Sequence, residues 1–233
     1  MRSADVASGI GVPILTGPLR GARWLPASGG KLARVLLGTY ERAQAERFAA
    51  CLRAGDDVLD VGAAVGFYSL LAARCVGPRG RVVACEPDAA NLRYLRAHVA
   101  RNACAQVEVM ACALSDCVGR ARFARAGGSG RGRLHASGET EVALRTIDDI
   151  ASERALRLRS IKLDVEGAEL DVLRGGERTL RAQRPTLFIS THDRQNPGVE
   201  ARCCELLEGW GYAIERIGPG ELVCSPGPAL VSP

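Results

Sequence analysis

Apolar residues in this chain gather into short runs separated by stretches of helical period. Residues 57–61, 81–85, 107–111, 160–164 and 186–190 are rich in Val, Leu, Ile and Ala with few polar interruptions, as strands buried on both faces of a parallel sheet are. Residues 67–75, 88–101 and 200–209 instead carry apolar side chains three and four apart, the spacing of helices that pack on a sheet. In 88–101, Leu92, Leu95 and Val99 form the stripe, and His98 beside it reads as a partly exposed surface histidine. After Glu166 and Gly167 a further helix carries Leu170, Leu173 and Leu180. Alternation of this kind predicts an α/β fold: a single Rossmann-like domain, mostly parallel sheet with helices on both faces.

The flanks are less regular. The first nine residues are small and polar and read as loose. Ile14-Leu15 and Arg23-Trp24-Leu25, separated by Gly17-Pro18 and Gly21, predict a small N-terminal β-hairpin that covers one end of the sheet. A helix over 42–53, with Thr39 as N-cap and Ala45, Phe48 and Leu52 on one face, stops at Gly55. Residues 119–123 and 141–146 read as strands of an inserted hairpin joined by a Gly-, Ser- and Arg-rich loop over 125–138, in which His135 is exposed. Residues 212–217 and 221–224 make a last hairpin. These readings divide the chain into an extension over 1–35 packed on a domain over 36–225, with a tail over 226–233.

A length of 233 residues suits one α/β domain with a full core. With 47% hydrophobic but 4% aromatic residues, that core must be built from Ala, Val, Leu and Ile. The formal charge of +5 comes from scattered arginines, Lys31 and Lys162 being the lysines, and predicts a solvated surface rather than a nucleic-acid stripe. Nine cysteines without a C-x-x-C pair argue against zinc, and their odd number suits reduced core residues better than a disulfide framework. No apolar run has the length of a membrane span, and the N-terminus lacks the basic start and apolar block of a leader, so the expectation is a cytoplasmic protein with no membrane partner.

Candidate chemistry sits at the strand ends. The run Val58-Leu59-Asp60-Val61 enters a turn with Gly62 and Gly66 that opens a helix, so backbone N–H groups can approach a ligand closely. About 20 residues on, Glu86 ends the next strand, the place from which a carboxylate binds ribose hydroxyls. A dinucleotide site wants G-x-G-x-x-G, yet this turn has Ala64 in place of the middle glycine and an acid, Asp60, before the first. An acid there repels a pyrophosphate and suits a cationic ligand such as the sulfonium and amino group of S-adenosylmethionine. A second strand runs into Asp164, Glu166 and Gly167, with Glu169 either a site residue or an acid at a helix start. A third ends at Thr191-His192, where an imidazole with an ordinary pKa near about 6.5 suits a general base.

These residues resemble the FkbM family of S-adenosylmethionine-dependent methyltransferases over roughly 36–215. The likeness rests on Gly38-Thr39-Tyr40-Glu41, Asp60-Val61-Gly62 with Gly66-Phe67-Tyr68-Ser69, Glu86-Pro87, Ala113-Leu114-Ser115-Asp116, the motif from Ile161 to Gly167 with Glu169, and His192. It implies a class I methyltransferase fold, with O-methylation of a hydroxyl on a sugar or secondary metabolite. Two positions depart from the family: Ala64, where asparagine is common, and Ser190, where an acid is frequent. Carried onto this chain, the resemblance places Gly62, Ala63, Ala64 and Gly66 in the cofactor cradle and Asp60 at its methionine end. Glu86 falls to the ribose and Cys112-Ala113 to the adenine edge. Tyr40, Glu41 and the loop over 125–138 border a small-molecule acceptor, with Asp164, Glu166 and His192 at the reacting hydroxyl. There the proton acceptor is His192 or Asp164; a Mg²⁺ site is possible but a metal-free base is favoured. Rival readings are an RNA ribose methyltransferase, so nucleic acid is not excluded, a non-catalytic cofactor-fold module, and a nicotinamide oxidoreductase.

Overall fold

The computed structural model describes residues 9–29, 31–125 and 132–227. Two-residue strands β1 (Val12–Pro13) and β2 (Arg23–Trp24) pair antiparallel and lead to helices α1 (Leu32–Leu36) and α2 (Arg42–Cys51). Then follow β3 (Asp57–Val61), α3 (Phe67–Val76), β4 (Arg81–Cys85), α4 (Ala89–Arg101) and β5 (Val107–Met110). A side unit holds β6 (Ala113–Leu114), β7 (Gly119–Arg125), β8 (Gly132–Leu134) and β9 (Thr140–Arg145). The chain closes with α5 (Ile147–Glu153), β10 (Leu158–Leu163), α6 (Glu169–Arg174), α7 (Glu177–Gln183), β11 (Thr186–Ser190), α8 (Val199–Gly209), β12 (Tyr212–Gly218) and β13 (Glu221–Pro226).

The seven-stranded sheet runs β12-β13-β11-β10-β3-β4-β5, parallel from β11 to β5, with the β12–β13 hairpin antiparallel at one edge. Alternation along each strand separates two cores. Leu59, Val61, Val83, Ile161, Leu163, Leu187 and Ile189 face one way, with α5, α6, α7 and α8 residues such as Ile150, Leu173, Leu180 and Cys203. Val58, Val82, Ala84, Phe188 and Val223 face the other, against Phe48 of α2, Leu71 of α3 and Leu95 of α4. This is the predicted helices-on-both-faces arrangement. Among the described residues no helix is long and apolar enough to cross a membrane.

Register fixes what emerges at the strand ends. Val61 pairs with both Leu163 and Cys85, and Leu163 pairs with Ile189, so the turns after β3, β4, β10 and β11 leave one edge together. Asp60 pairs with Lys162, Lys162 with Phe188, and Ser190 with Glu221. Partners in register share a face, and so do residues two apart, so Asp60, Lys162, Ser190 and Glu221 lie on one side of the sheet near its carboxyl end.

Several local expectations need correction. The first N-terminal strand lies at Val12–Pro13, just before the expected Ile14-Leu15, and the second ends at Trp24, one residue short of Leu25. Thr39 does not cap α2; Glu41 does, in a left-handed conformation with φ 43°, while Thr39 Oγ1 donates to the Arg34 carbonyl. The helix after Gly167 is broken at Gly175 and Gly176 into α6 and α7. The inserted hairpin is part of a four-stranded sheet in the order β6-β9-β7-β8, and the loop over 125–138 is partly strand, since Phe123 to Arg125 pair with Leu134 to Gly132. Residues 126–131 of that loop, like the expected loose start over 1–8 and the end of the tail over 228–233, lie outside the described residues.

His98 is the clearest departure. It is fully buried, its ring stacks on Trp24 at 4.0 Å, Nε2 accepts from the Leu25 N–H at 2.9 Å, and Nδ1 lies 2.7 Å from the Val65 carbonyl. Burial lowers its pKa to about 4. The histidine therefore fastens the N-terminal segment to the turn after β3, a task invisible to helical periodicity.

Candidate functional site

The strand ends open into a cavity of about 340 Å³ lined by the turn after β3, Glu86, Cys112, Ala113, Tyr40 and Glu41, and by Asp164, Glu166 and His192. Phe123, Arg133 and Leu134 of the side sheet form part of its wall. All the sequence-predicted site residues except Gly66 thus line one crevice, as expected at the carboxyl edge of an open α/β sheet.

The first turn is shaped by contact. Gly62 has φ 78°, and a Cβ there would fall 1.8 Å from the Asp164 carbonyl oxygen, so only glycine lets the β3 and β10 turns pass each other. Gly66, with φ 98°, starts α3 where a Cβ would meet Leu95 Cδ1 at 2.6 Å. Between them Ala64 adopts φ 48° and donates its N–H to Glu86 Oε2 at 2.8 Å. Glu86 Oε1 accepts from the Asp88 N–H at 2.8 Å and from Asn91 Nδ2 at 3.2 Å. Despite these bonds, burial raises the Glu86 carboxyl to about 7.

Asp60 is buried, raised by desolvation to about 6, and held by a 2.5 Å hydrogen bond from Ser69 Oγ. Beside it lies a residue to which the sequence reading gave no role. Lys162 is 1% exposed, donates from Nζ to Ser190 Oγ at 2.7 Å, and lies 5.0 Å from the Tyr68 ring centroid. Ser190 in turn donates to Glu221 at 3.2 Å, Gln44 donates to Glu221, and Tyr68 donates to Gln44 Oε1 at 2.8 Å. Burial raises Glu221 to about 7, with Lys162 opposing the rise. Glu221 was also missed, because it arrives on the antiparallel hairpin, far along the chain from the motifs.

Tyr40 packs edge-on against Phe67 at 4.9 Å and accepts from Lys31 Nζ at 3.2 Å. Burial, then the neighbouring Glu41 carboxylate, raises its phenol and keeps it protonated. Glu41 Oε2 is buried with no hydrogen-bond partner among the described residues, a polar atom available to a ligand at the cavity wall.

At the far end, His192 Nδ1 lies 2.7 Å from Glu169 Oε1, while Nε2 is 3.4 Å from Asp164 Oδ1 and 3.7 Å from Glu166 Oε2. Burial alone would lower the imidazole pKa, but the Glu169 bond and the charges of Asp164, Glu169 and Glu166 outweigh it and raise the value to about 9. The ordinary value expected from the sequence is therefore corrected. No acid two residues back is needed, since Glu169 on α6 holds the ring and Ser190 is engaged by Lys162. Asp164 Oδ2 faces Lys162 Nζ at 3.8 Å, and Gln195 Nε2 donates to Glu166 Oε2 at 2.8 Å.

The donor set suits S-adenosylmethionine: a strand-tip carboxylate at Glu86, a buried acid at Asp60 and a close-approach turn at Gly62. When bound, that cofactor supplies an electrophilic methyl group. Solved structures share the fold. A methyltransferase FkbM from Methylobacillus flagellatus KT superimposes with a TM-score of 0.55 at 22% identity, covering 83% of this chain and 52% of that one. A precorrin-6y C5,15-methyltransferase from Geobacter metallireducens GS-15 gives 0.50 at 13% identity over 78% of this chain and 86% of that one. An rRNA methylase from Streptococcus thermophilus gives 0.51 at 9% identity over 81% and 96%. In sequence, 32% identity over 203 residues links 67% of this chain to AMB antimetabolite synthetase AmbE of Pseudomonas aeruginosa, of which the match is 9%.

Fold and crevice define a class I, Rossmann-like methyltransferase domain that uses S-adenosylmethionine. The family model for the methyltransferase FkbM domain matches residues 60–214, and the chain belongs to that family. It spans about half of the solved FkbM chain and a small part of the synthetase.

Proposed function

We propose that this chain transfers the methyl group of S-adenosylmethionine to a hydroxyl oxygen of a sugar or other small metabolite, through a domain over 36–225. The observation that carries the reading is the meeting, in one crevice, of Asp60 and Glu86 from the ends of β3 and β4 with Asp164 and His192 from the turns after β10 and β11. Likeness to a region of an antimetabolite synthetase supports a small acceptor over a polymer.

In this reading the backbone of Gly62, Ala63, Ala64 and Gly66 cradles the cofactor, Glu86 binds its ribose, and Cys112 and Ala113 border the adenine. Asp60 faces the methionine end. Tyr40 and Glu41 line the acceptor's side. Tyr40, Glu41 and Asp164 would hold the acceptor hydroxyl in line with the methyl group that a bound S-adenosylmethionine would supply, with S-adenosylhomocysteine as the other product. Both ring nitrogens of His192 already face carboxylates, so the hydroxyl proton passes to Asp164, with Lys162 beside its Oδ2.

The test is incubation with methyl-labelled S-adenosylmethionine and separate pools of sugars, hydroxylated metabolites, amines and RNA, with products located by mass spectrometry and NMR. A methyl ether on a small hydroxyl compound is expected. Label found on nitrogen, carbon or RNA alone would overturn the reading.

A further inference from the structure

We propose that Asp164, Glu166 and His192 form a binding site for one first-row divalent cation, of the Mn²⁺ or Fe²⁺ kind, at the acceptor end of the crevice. One oxygen from each carboxylate and one imidazole nitrogen lie within 4.8 Å of one another. The separations from His192 Nε2, 3.4 Å to Asp164 and 3.7 Å to Glu166, exceed the roughly 2.7–3.2 Å of a good N–H···O bond. They are close to the edges of a coordination polyhedron instead, because ligands about 2.1 Å from an ion stand about 3.0 Å apart at right angles, about 3.4 Å at tetrahedral angles and about 3.6 Å at 120°.

The surroundings are those of metal ligands. Glu169 is fully buried, its Oε2 has no hydrogen-bond partner among the described residues, and its Oε1 holds His192 Nδ1 at 2.7 Å. A carboxylate buried at that cost fixes the ring and leaves Nε2 turned to the cluster, the outer-shell arrangement common to metal-bound histidines. Gln195 orients Glu166 in the same way. The three ligands all line the cavity, so remaining coordination positions open towards the acceptor. An imidazole nitrogen in the set favours a first-row transition ion over Mg²⁺.

The site rests on these side chains; its role in catalysis rests on the proposed O-methylation. There the cation takes the position facing Nε2 and Asp164 Oδ1, polarises the acceptor hydroxyl, and leaves Asp164 Oδ2 to receive the proton.

Mn²⁺ binding followed by electron paramagnetic resonance tests the assignment, with S-adenosylhomocysteine affinity measured by calorimetry on the same samples. One tight Mn²⁺ per chain is expected, lost in Asp164→Asn and His192→Gln, weakened about 10–100-fold in Glu169→Gln, with S-adenosylhomocysteine still bound. Glu166→Gln, on a half-buried side chain, serves if the other variants do not fold. Absence of Mn²⁺ binding by folded wild type, or binding that all four substitutions leave unchanged, overturns the site. If Mn²⁺ binds and S-adenosylhomocysteine does not, the site stands and the methyltransferase reading falls; the reverse result removes the site alone.

Discussion

Lys162 Nζ donates to Ser190 Oγ across 2.7 Å, tying together the ends of two parallel strands beneath the cavity. Asp60, Asp164 and Glu221 surround that ammonium, which is their buried counter-charge. Lys162→Met should therefore destabilise the protein by about 3–5 kcal/mol, the usual result of removing one member of a buried charged set. Urea denaturation would measure it. An unchanged midpoint would show that the carboxylates need no cation.

Gly62→Ala should lower the melting temperature and abolish S-adenosylhomocysteine binding, since the added carbon collides with the Asp164 carbonyl. Gly198→Ala provides the control. Its φ is 75° and its ψ 13°, and nothing lies within 4 Å of a Cβ built there, so it should show only the left-handed backbone cost of about 1–2 kcal/mol. Equal losses in the two variants would mean that the close approach at Gly62 is unimportant.

Removing the His98 side chain orphans the Leu25 N–H and the Val65 carbonyl, so His98→Ala should cost about 1–3 kcal/mol for each group left unpaired. The wild type should also respond to pH. A histidine lowered from 6.5 to about 4 contributes stability that is complete above pH 6.5 and is lost as the pH falls through about 4. Thermal melts of both proteins across pH 4–7 should converge towards the acid end.

Glu221 has the opposite sign. Its carboxyl is raised from 4.5 to about 7, so its contribution is fullest below pH 4.5 and is lost as the pH rises through about 7. Glu221→Gln, which cannot ionise, should gain stability relative to wild type across that interval. A difference in melting temperature that does not change with pH would contradict the assignment.

The sheet and its crevice were readable because they depend on local signals. Apolar runs and helical spacing gave the strands and helices, and the turn after Val61 together with Glu86 marked part of the crevice wall before any contact was known. Residues whose role depends on distant partners were harder to see. Lys162 has the sequence position of an ordinary strand residue, and only the register with Asp60 and the approach of Glu221 make it a buried counter-ion. Glu169 could equally be an acid favoured at a helix start until His192 is found against it. His98 was misread because its partners, Leu25 and Val65, come from segments without periodic pattern.

Burial raises the carboxyls of Asp60, Glu86 and Glu221 to about 6, 7 and 7, so all three exchange protons close to neutrality. The charge that the crevice presents to an incoming ligand is therefore set by the surrounding pH as much as by the residue types that line it.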